Sequence, residues 1–465
     1  MSRRLNFEKM KFKTTFYIMT ILLLSFSPIY TQKIEYRDQI YVDNLATPQV
    51  LKNGQVYPSP IIELGSRDFL TFSFDDLDAD EKDYYYKVIH CDKDWNPSDL
   101  ISIQYIDGFE EEQIDDYKFS VGTLIQFTHY YFSLPNRYTN FKISGNYIVI
   151  IYDEKPENVV LTRRFMVYED KARLSIQNTP PSDVENFLQK QQMQVRLNPG
   201  DLNVIDPFND IFLTVQQNNR SDNQKSNISP KFLREGLYVF DDFGTISFWG
   251  NNEFRYFDTR SLPAKGPNIE YVSREKGEYE ALIKLCKPRL YNHYIYYYDF
   301  NGKFIIQSRF LNSFDNNSIL DQVRNNLPDE LRNSLTDYKL RGTQLTEDAT
   351  YGSDYVNVIF NLQTPRVSGK KIYVFGAMSD WQLRPEFELI WDAENEIYLC
   401  EALLKQGFFD YMFVTVDRQG NIDDRTIDGS WADTENDYSF LVYFRDFGST
   451  YDRLVGYQNF NSLLN

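Results

Sequence analysis

The chain has 465 residues, 42% hydrophobic and 25% charged, a globular composition that excludes wholesale disorder and provides for about three domains at roughly 150 residues each. Tyr 35 and Phe 36 supply most of the 16% aromatic content, which favours half-buried pleated surfaces over helices, while a negative mean hydropathy excludes a polytopic helical membrane protein. Asp+Glu outnumber Lys+Arg by 67 to 49, a net −18 that repels phosphate backbones and anionic lipid and so argues against nucleic acid as a partner.

Residues 1–31 are expected to be a signal peptide. Arg3, Arg4, Lys9, Lys11 and Lys13 precede the apolar run Phe16–Phe26, and Ser27, Pro28 and a polar chain follow, the order a secretory signal requires. The run falls well short of the roughly 20 residues that span a bilayer. A retained anchor stays open as the alternative, because no clean A-x-A cleavage pattern ends the run. Its five basic residues against Glu8 leave −22 on the chain beyond Thr31. Cys91, Cys286 and Cys400 are odd in number and far apart, which gives neither a disulfide framework nor a zinc spacing; they read as small buried residues. Export with few cysteines fits a bacterial periplasm or the periphery of its outer membrane.

From Ile34 onward, short aromatic and β-branched runs alternate with turn signals, the pattern of tandem β-sandwiches in an all-β protein. A first sandwich is expected over residues 33–170. In it Tyr84, Tyr86, Val88 and His90 share one face of a strand, and strands Asn146–Tyr152 and Val160–Tyr168 flank a turn. A second sandwich is expected over 171–311, with a helix at Ser182–Gln191 after Pro180-Pro181 and a hairpin of His293–Phe300 and Lys303–Leu311 around Asn301-Gly302. Residues 312–350 turn polar and read as a linker with a short helix at Ile319–Ser334. A third sandwich is expected over 351–465, opening on the strand Asp354–Leu362.

The chemistry-bearing residues are sparse. Asp76-x-Asp78-x-Asp80 has the spacing that opens a calcium loop, but an EF-hand needs Gly and Glu where Glu81 and Lys87 stand, so a solvated acidic turn is expected. Only His90, His129 and His293 are available for metal or triad chemistry, and no phosphate loop, dinucleotide fingerprint or nucleophile elbow appears. No catalytic residue, metal ligand or cofactor is therefore expected. Two stretches stand out as candidate partner contacts. One is the strand-end loop with Trp95, Asn96 and Pro97, followed by QYIDGF at Gln104–Phe109; a buried Trp plugging the sandwich end is its equal alternative. The other is Gly250–Asp258 with Glu253, Phe254 and Arg255, where an internal salt bridge of Arg255 with Glu253 or Asp258 is the favoured reading.

Together HCDKDWNPSDL at His90–Leu100, Phe119–Tyr131, SGNYIVIIYD, RRFMVYE, NEFRYFD and the tail TENDYSFLVYFRDFGSTYDRLVGY resemble the plug protein family of the type IX secretion system, exported proteins of the Bacteroidetes. The resemblance implies a multi-domain all-β periplasmic protein, one copy within a larger complex, which docks on a large outer-membrane β-barrel translocon and seals its periplasmic opening. It supplies no catalytic residue. Lys371–Asp417, with VFGAMSDW and GFFDYMFVTVD, is similar to early-set sandwich modules that bind starch or glycogen. That likeness implies an Ig-like third domain and, as an alternative function, periplasmic glycan binding by Trp381. The second stacking aromatic of those modules is replaced by Arg418, Gln419 and Gly420, so Trp381 is expected to pack internally.

Overall fold

The computed structural model describes residues 34–56, 59–240, 244–262, 265–275, 277–308 and 350–463; the expected signal peptide, nearly all of the expected linker and the helix at 319–334 lie outside them. The described chain is almost entirely strand, with a few single-turn helices. No helix among the described residues is long and apolar enough to cross a membrane.

The first sandwich follows the alternation in its sequence. One sheet orders Gln39–Ile40, Val159–Tyr168, Gly145–Asp153, Tyr84–Cys91 and Glu111–Gln113, with Ile61–Glu63 parallel to Val159–Tyr168; the facing sheet orders Leu45–Lys52, Leu70–Asp76, Thr128–Leu134 and Tyr117–Phe119. Tyr84, Tyr86, Val88 and His90 all point inward. Aromatic rings fill the space between the sheets: Tyr86 stacks on Phe132 at 4.3 Å, and Tyr147 on Phe165 at 5.3 Å, close to the spacing at which offset rings attract.

The remaining strands do not respect the expected boundaries. Ile211–Gln217 pairs along its whole length with Asp437–Phe444, which pairs in turn with Arg453–Asn461. The second sandwich thus takes half of one sheet from the chain's C-terminal end, facing Arg173–Thr179 and Lys190–Asn198 across a shared core. Conversely, Arg255–Asp258, Ile269–Glu275, Glu278–Ile283 and Phe304–Ile306 all join the third unit, in sheets with Tyr355–Leu362 and Gly407–Val416. A division into contiguous domains 171–311 and 351–465 is therefore corrected to two interleaved units. The physical reason is that alternation marks a strand's buried face without naming its partner.

Two local expectations are also corrected. Residues 182–191 hold only a 3-10 turn, Val184–Asn186, before the strand Lys190–Asn198 begins, because Gln191 donates its amide to the Ala432 and Thr434 carbonyls and Gln192 donates its own to Ser182 Oγ. Residues 293–300 form no strand; Tyr294 and Tyr297 instead donate their hydroxyls to Glu253 and to the backbone of 253–254. Of the cysteines, Cys91 and Cys400 are buried and Cys286 only half so.

The C-terminal hairpin also fastens the first sandwich. Phe440, Val442 and Phe444 enter the core of the second sandwich, while Leu441, Tyr443 and Leu454 pack on Ile148, Ile150, Tyr152 and Met166. Gly145–Asp153 is consequently buried on both faces, one side of its pleat in each core. Tyr443 Oη donates to Asn146 at 2.8 Å, and Arg453 forms a bidentate pair with Glu169 at 2.7 and 3.0 Å.

Candidate functional site

The loop after Tyr84–Cys91 is built around Asp92, whose carboxylate accepts the backbone N–H of Asp94 and Asn96 at 2.9 and 2.8 Å. This Asx geometry turns the chain so that Trp95, in the left-handed region at φ 66, folds inward among Ile61, Cys91 and Met166, with the Arg164 guanidinium over its ring at 4.4 Å. A bulky residue at positive φ is strained, and burial of the indole compensates. Trp95 is thus inside and unavailable to a partner, whereas Asn96 and Pro97 are exposed. His90, beneath the loop, bonds Ser98 at 3.0 Å through Nδ1. Burial holds its pKa down at about 4, only partly offset by the Ser144 carbonyl and by Asp452 and Asp92.

Glu253 and Phe254 are also buried. Arg255 does pair internally, but its partner is Asp428, at 2.6 Å, and not Glu253 or Asp258. Asp428 also receives Arg289 at 3.0 Å; burial raises its carboxyl, but the two guanidiniums more than offset this and hold it well below the ordinary range. The sequence could not show this pairing because Arg255 and Asp428 meet only through tertiary contact.

Trp381, at φ 54, packs edge-on to Phe375 and Phe254 at 5.5 and 6.0 Å, and its ring end lies where a Cβ on Gly302 would stand. With the Arg220 guanidinium also 5.3 Å from the ring, its faces are taken by protein. Trp95 and Trp381, read from sequence as belonging to separate domains, line one cavity of about 220 Å³ together with Asp38, Arg163, Arg164 and Lys303.

A second meeting place had no sequence signal. Asp75 of the first sandwich receives Lys405 at 2.5 Å, the Tyr355 hydroxyl at 2.7 Å and His129 at 2.7 Å, all of them buried. Burial raises the Asp75 carboxyl, but Lys405 and His129 outweigh it and leave the pKa below its ordinary value. Burial pushes Lys405 down, with Asp75 only partly restoring it. Beside this cluster the Asp354 carboxylate accepts the N–H groups of Leu124 and Ile125. This seam and the C-terminal hairpin hold the three units together.

Two acidic groups differ in kind. In Asp76-x-Asp78-x-Asp80 the Lys82 ammonium sits among the carboxylates, at 2.8, 2.5 and 3.7 Å, so a lysine already occupies the cation position of the would-be calcium loop. Elsewhere Glu253, Asp299 and Glu435, all buried, bring one carboxylate oxygen each to within 4.8 Å of the others. Burial and neighbouring carboxylates, Asp299 for Glu253 and Asp437 and Asp299 for Glu435, push these two glutamates up to about 9 and about 8.

Comparison with known families now bears on residues 45–169, which match the type 9 secretion system plug protein 1st domain. The resemblance noted in the sequence holds over this stretch, and it ties the chain to type IX secretion, hence to the cell envelope. A search of curated proteins finds no match. Among solved structures, that of a hypothetical protein from Parabacteroides merdae ATCC 43184 is 26% identical with a TM-score of 0.81, over 92% of this chain and 100% of that one. The fold likeness therefore extends past residues 45–169 through the interleaved units.

Surface residues that sequence reasoning underrated lie on the first sandwich itself. Ile101, Ile103 and Phe109 are 60–68% exposed on the turn Ser102–Tyr105 and the end of the strand Ile106–Gly108, which pairs with Thr139–Phe141. Tyr138 is 42% exposed beside them, its carbonyl accepting the Phe109 N–H at 2.9 Å. QYIDGF had pointed to this stretch, but strand periodicity alone does not reveal which side is left uncovered.

Proposed function

We propose that the chain is a non-enzymatic subunit that docks from the periplasm on the outer-membrane translocon barrel of the type IX system and closes its periplasmic opening. The observation that carries this reading is the plug-domain match over residues 45–169. The interlocked build supports it: a stopper must resist deformation, and the hairpin and the Asp75 seam make one body of three units. The contact surface in this reading is the apolar patch of Ile101, Ile103, Phe109 and Tyr138, bordered in sequence by the exposed Asn96 and Pro97 of the preceding loop. Clustered exposed apolar side chains are a mark of interaction sites, and a stable seal needs more than roughly 1,000 Å² in total, so in this reading these residues are the centre of a wider footprint.

The test is a pull-down of the tagged full chain from gently solubilised envelopes with mass spectrometry of what is retained. Near-stoichiometric recovery of one very large outer-membrane β-barrel is expected, lost in an Ile101→Asp/Ile103→Asp/Phe109→Asp variant that keeps its folded circular dichroism. A protein that emerges alone in the soluble periplasmic fraction overturns the reading.

A further inference from the structure

The second sandwich has an open side. Lys225–Ile228 is the outer strand of one of its sheets and, among the described residues, pairs only with Ile211–Gln217. Ser247–Trp249 lies at the edge of the other sheet and pairs only with Lys190–Asn198. The outer side of such a strand carries main-chain N–H and C=O groups that no ladder uses. Between these two edges lies a cleft of about 580 Å³, and its walls share Lys190, Lys225 and Ser247 with a second hollow of about 470 Å³.

The groups around the cleft are unevenly satisfied. Arg220 spends its guanidinium on Asp222 and Asp424, at 2.7 and 2.9 Å, and Lys190 pairs with Asp183 at 2.6 Å. Lys225 meets no carboxylate among the described residues, and burial followed by the neighbouring Lys190 pushes its pKa down. Three side chains of the wall carry a buried oxygen without a hydrogen-bond partner among the described residues: Asn223 Oδ1, Ser247 Oγ and Asn251 Oδ1. The two amides cannot turn over to remedy this. Asn223 Nδ2 donates to Gln217 Oε1 at 2.9 Å, and Gln217 is held in turn by donating Nε2 to the Trp249 carbonyl. Asn251, 3% exposed, donates Nδ2 to the Asp424 carboxylate at 3.1 Å. Both amide oxygens therefore lack a donor, while Lys225 and the Ser247 hydroxyl have protons to give.

An occupant that satisfies all of these groups brings a negative charge and hydrogen-bond donors together. Inorganic phosphate or sulfate answers the lysines but brings little for the amide oxygens. A sugar acid carries both, but it binds over open aromatic faces, and the Trp249 ring is taken by Lys190 at 4.5 Å and Arg425 at 4.0 Å, while Phe248 is buried. An extended polypeptide offers an N–H at nearly every residue, matches the free strand edges and presents side chains of alternate residues to one side. We propose that this cleft binds an extended acidic segment of a partner polypeptide, with a Glu or Asp carboxylate between Lys225, Lys190 and Ser247 and main-chain N–H groups reaching the Asn223 and Asn251 amide oxygens. The chain's net −18 repels acidic peptides elsewhere, so the selectivity resides in this cleft. The site belongs to the second sandwich, not to the apolar patch of the first, and it does not depend on docking to the barrel.

The experiment titrates the full chain into a short fluorescein-labelled peptide of alternating Glu and Val and follows fluorescence anisotropy at physiological salt. Saturable binding is expected, and it should be lost when Gln replaces every Glu of the peptide. Lys225→Met should weaken binding at least about tenfold. Ser247→Ala should weaken it as well and keeps the test decisive if Lys225→Met fails to fold. Lys371→Met removes an ammonium that is 62% exposed on the third unit and should leave binding unchanged. No saturable binding, equal binding of the Gln peptide, or equal loss in Lys371→Met overturns the proposal. So does a glucuronate oligomer that binds as tightly as the peptide, a result that makes the cleft an acidic-glycan site.

Discussion

Replacing Lys405 with Met removes the ammonium of the Asp75 seam while keeping an unbranched apolar stem of similar length. Both side chains are 1% exposed and 2.5 Å apart, so water cannot enter to solvate Asp75 once its partner is gone. The carboxylate keeps the Tyr355 hydroxyl and His129 but loses its permanent opposite charge, and breaking a buried pair from one side costs about 3–5 kcal/mol. The ammonium also lies 3.9 Å from the centre of the Phe127 ring, a contact a thioether partly replaces. For a chain of 465 residues unfolding as one unit, the entropy of unfolding is about 1 kcal/mol per K, so Lys405→Met should lower the thermal midpoint by about 3–5 °C. The double variant Asp75→Asn/Lys405→Met removes both charges and keeps the hydrogen-bonding shape, and it should recover about half of the loss or more, since neutral replacement of a buried pair costs little. Differential scanning calorimetry of wild type, both singles and the double closes the cycle. A Lys405→Met midpoint within about 1 °C of wild type, or a double variant no better than the single, would refute the account of the seam as a buried charge pair.

Trp381→Ala empties a packed aromatic site beside Phe254 and Phe375 and should cost about 3–5 kcal/mol in urea unfolding; a stable variant, or wild-type stabilisation by maltooligosaccharides, would reopen the glycan alternative. His90 gives a pH signature. Its folded pKa of about 4 lies below the ordinary imidazole value of 6.5, so its stabilising contribution is complete above about 6.5 and is lost as pH falls toward 4, by about 3 kcal/mol in all. The difference in unfolding free energy between wild type and His90→Gln should therefore shrink over that window, and a constant difference contradicts a buried neutral imidazole. Asp428→Asn leaves the Arg255 and Arg289 guanidiniums facing each other without their shared carboxylate and should destabilise by about 3 kcal/mol or more, read as a lowered urea midpoint at unchanged m-value.

What the sequence determined by itself is local. The alternation of Tyr84, Tyr86, Val88 and His90 specifies a strand and its inward face, because side chains on a pleat repeat every second residue whatever the partner. The plug resemblance was likewise legible in contiguous stretches from the Trp95 loop to RRFMVYE, all of which fall within residues 45–169. Tertiary structure decided which strands meet: Ile211–Gln217 finds Asp437–Phe444 across more than two hundred positions of chain because both bury apolar faces in one core, and nothing in either strand names the other. The same holds for side-chain fate. From sequence Trp95 reads equally as a presented or a buried aromatic and Trp381 as an internal one, and only the fold shows that positive-φ turns bring both to one cavity. Glu253, Asp299 and Glu435 look in sequence like three unrelated acids among sixty-seven. They become a cluster only when the interleaved sheets close around them, since burial is a property of the assembled fold and sets whether a carboxylate is a solvated surface charge or a group whose pKa is pushed up.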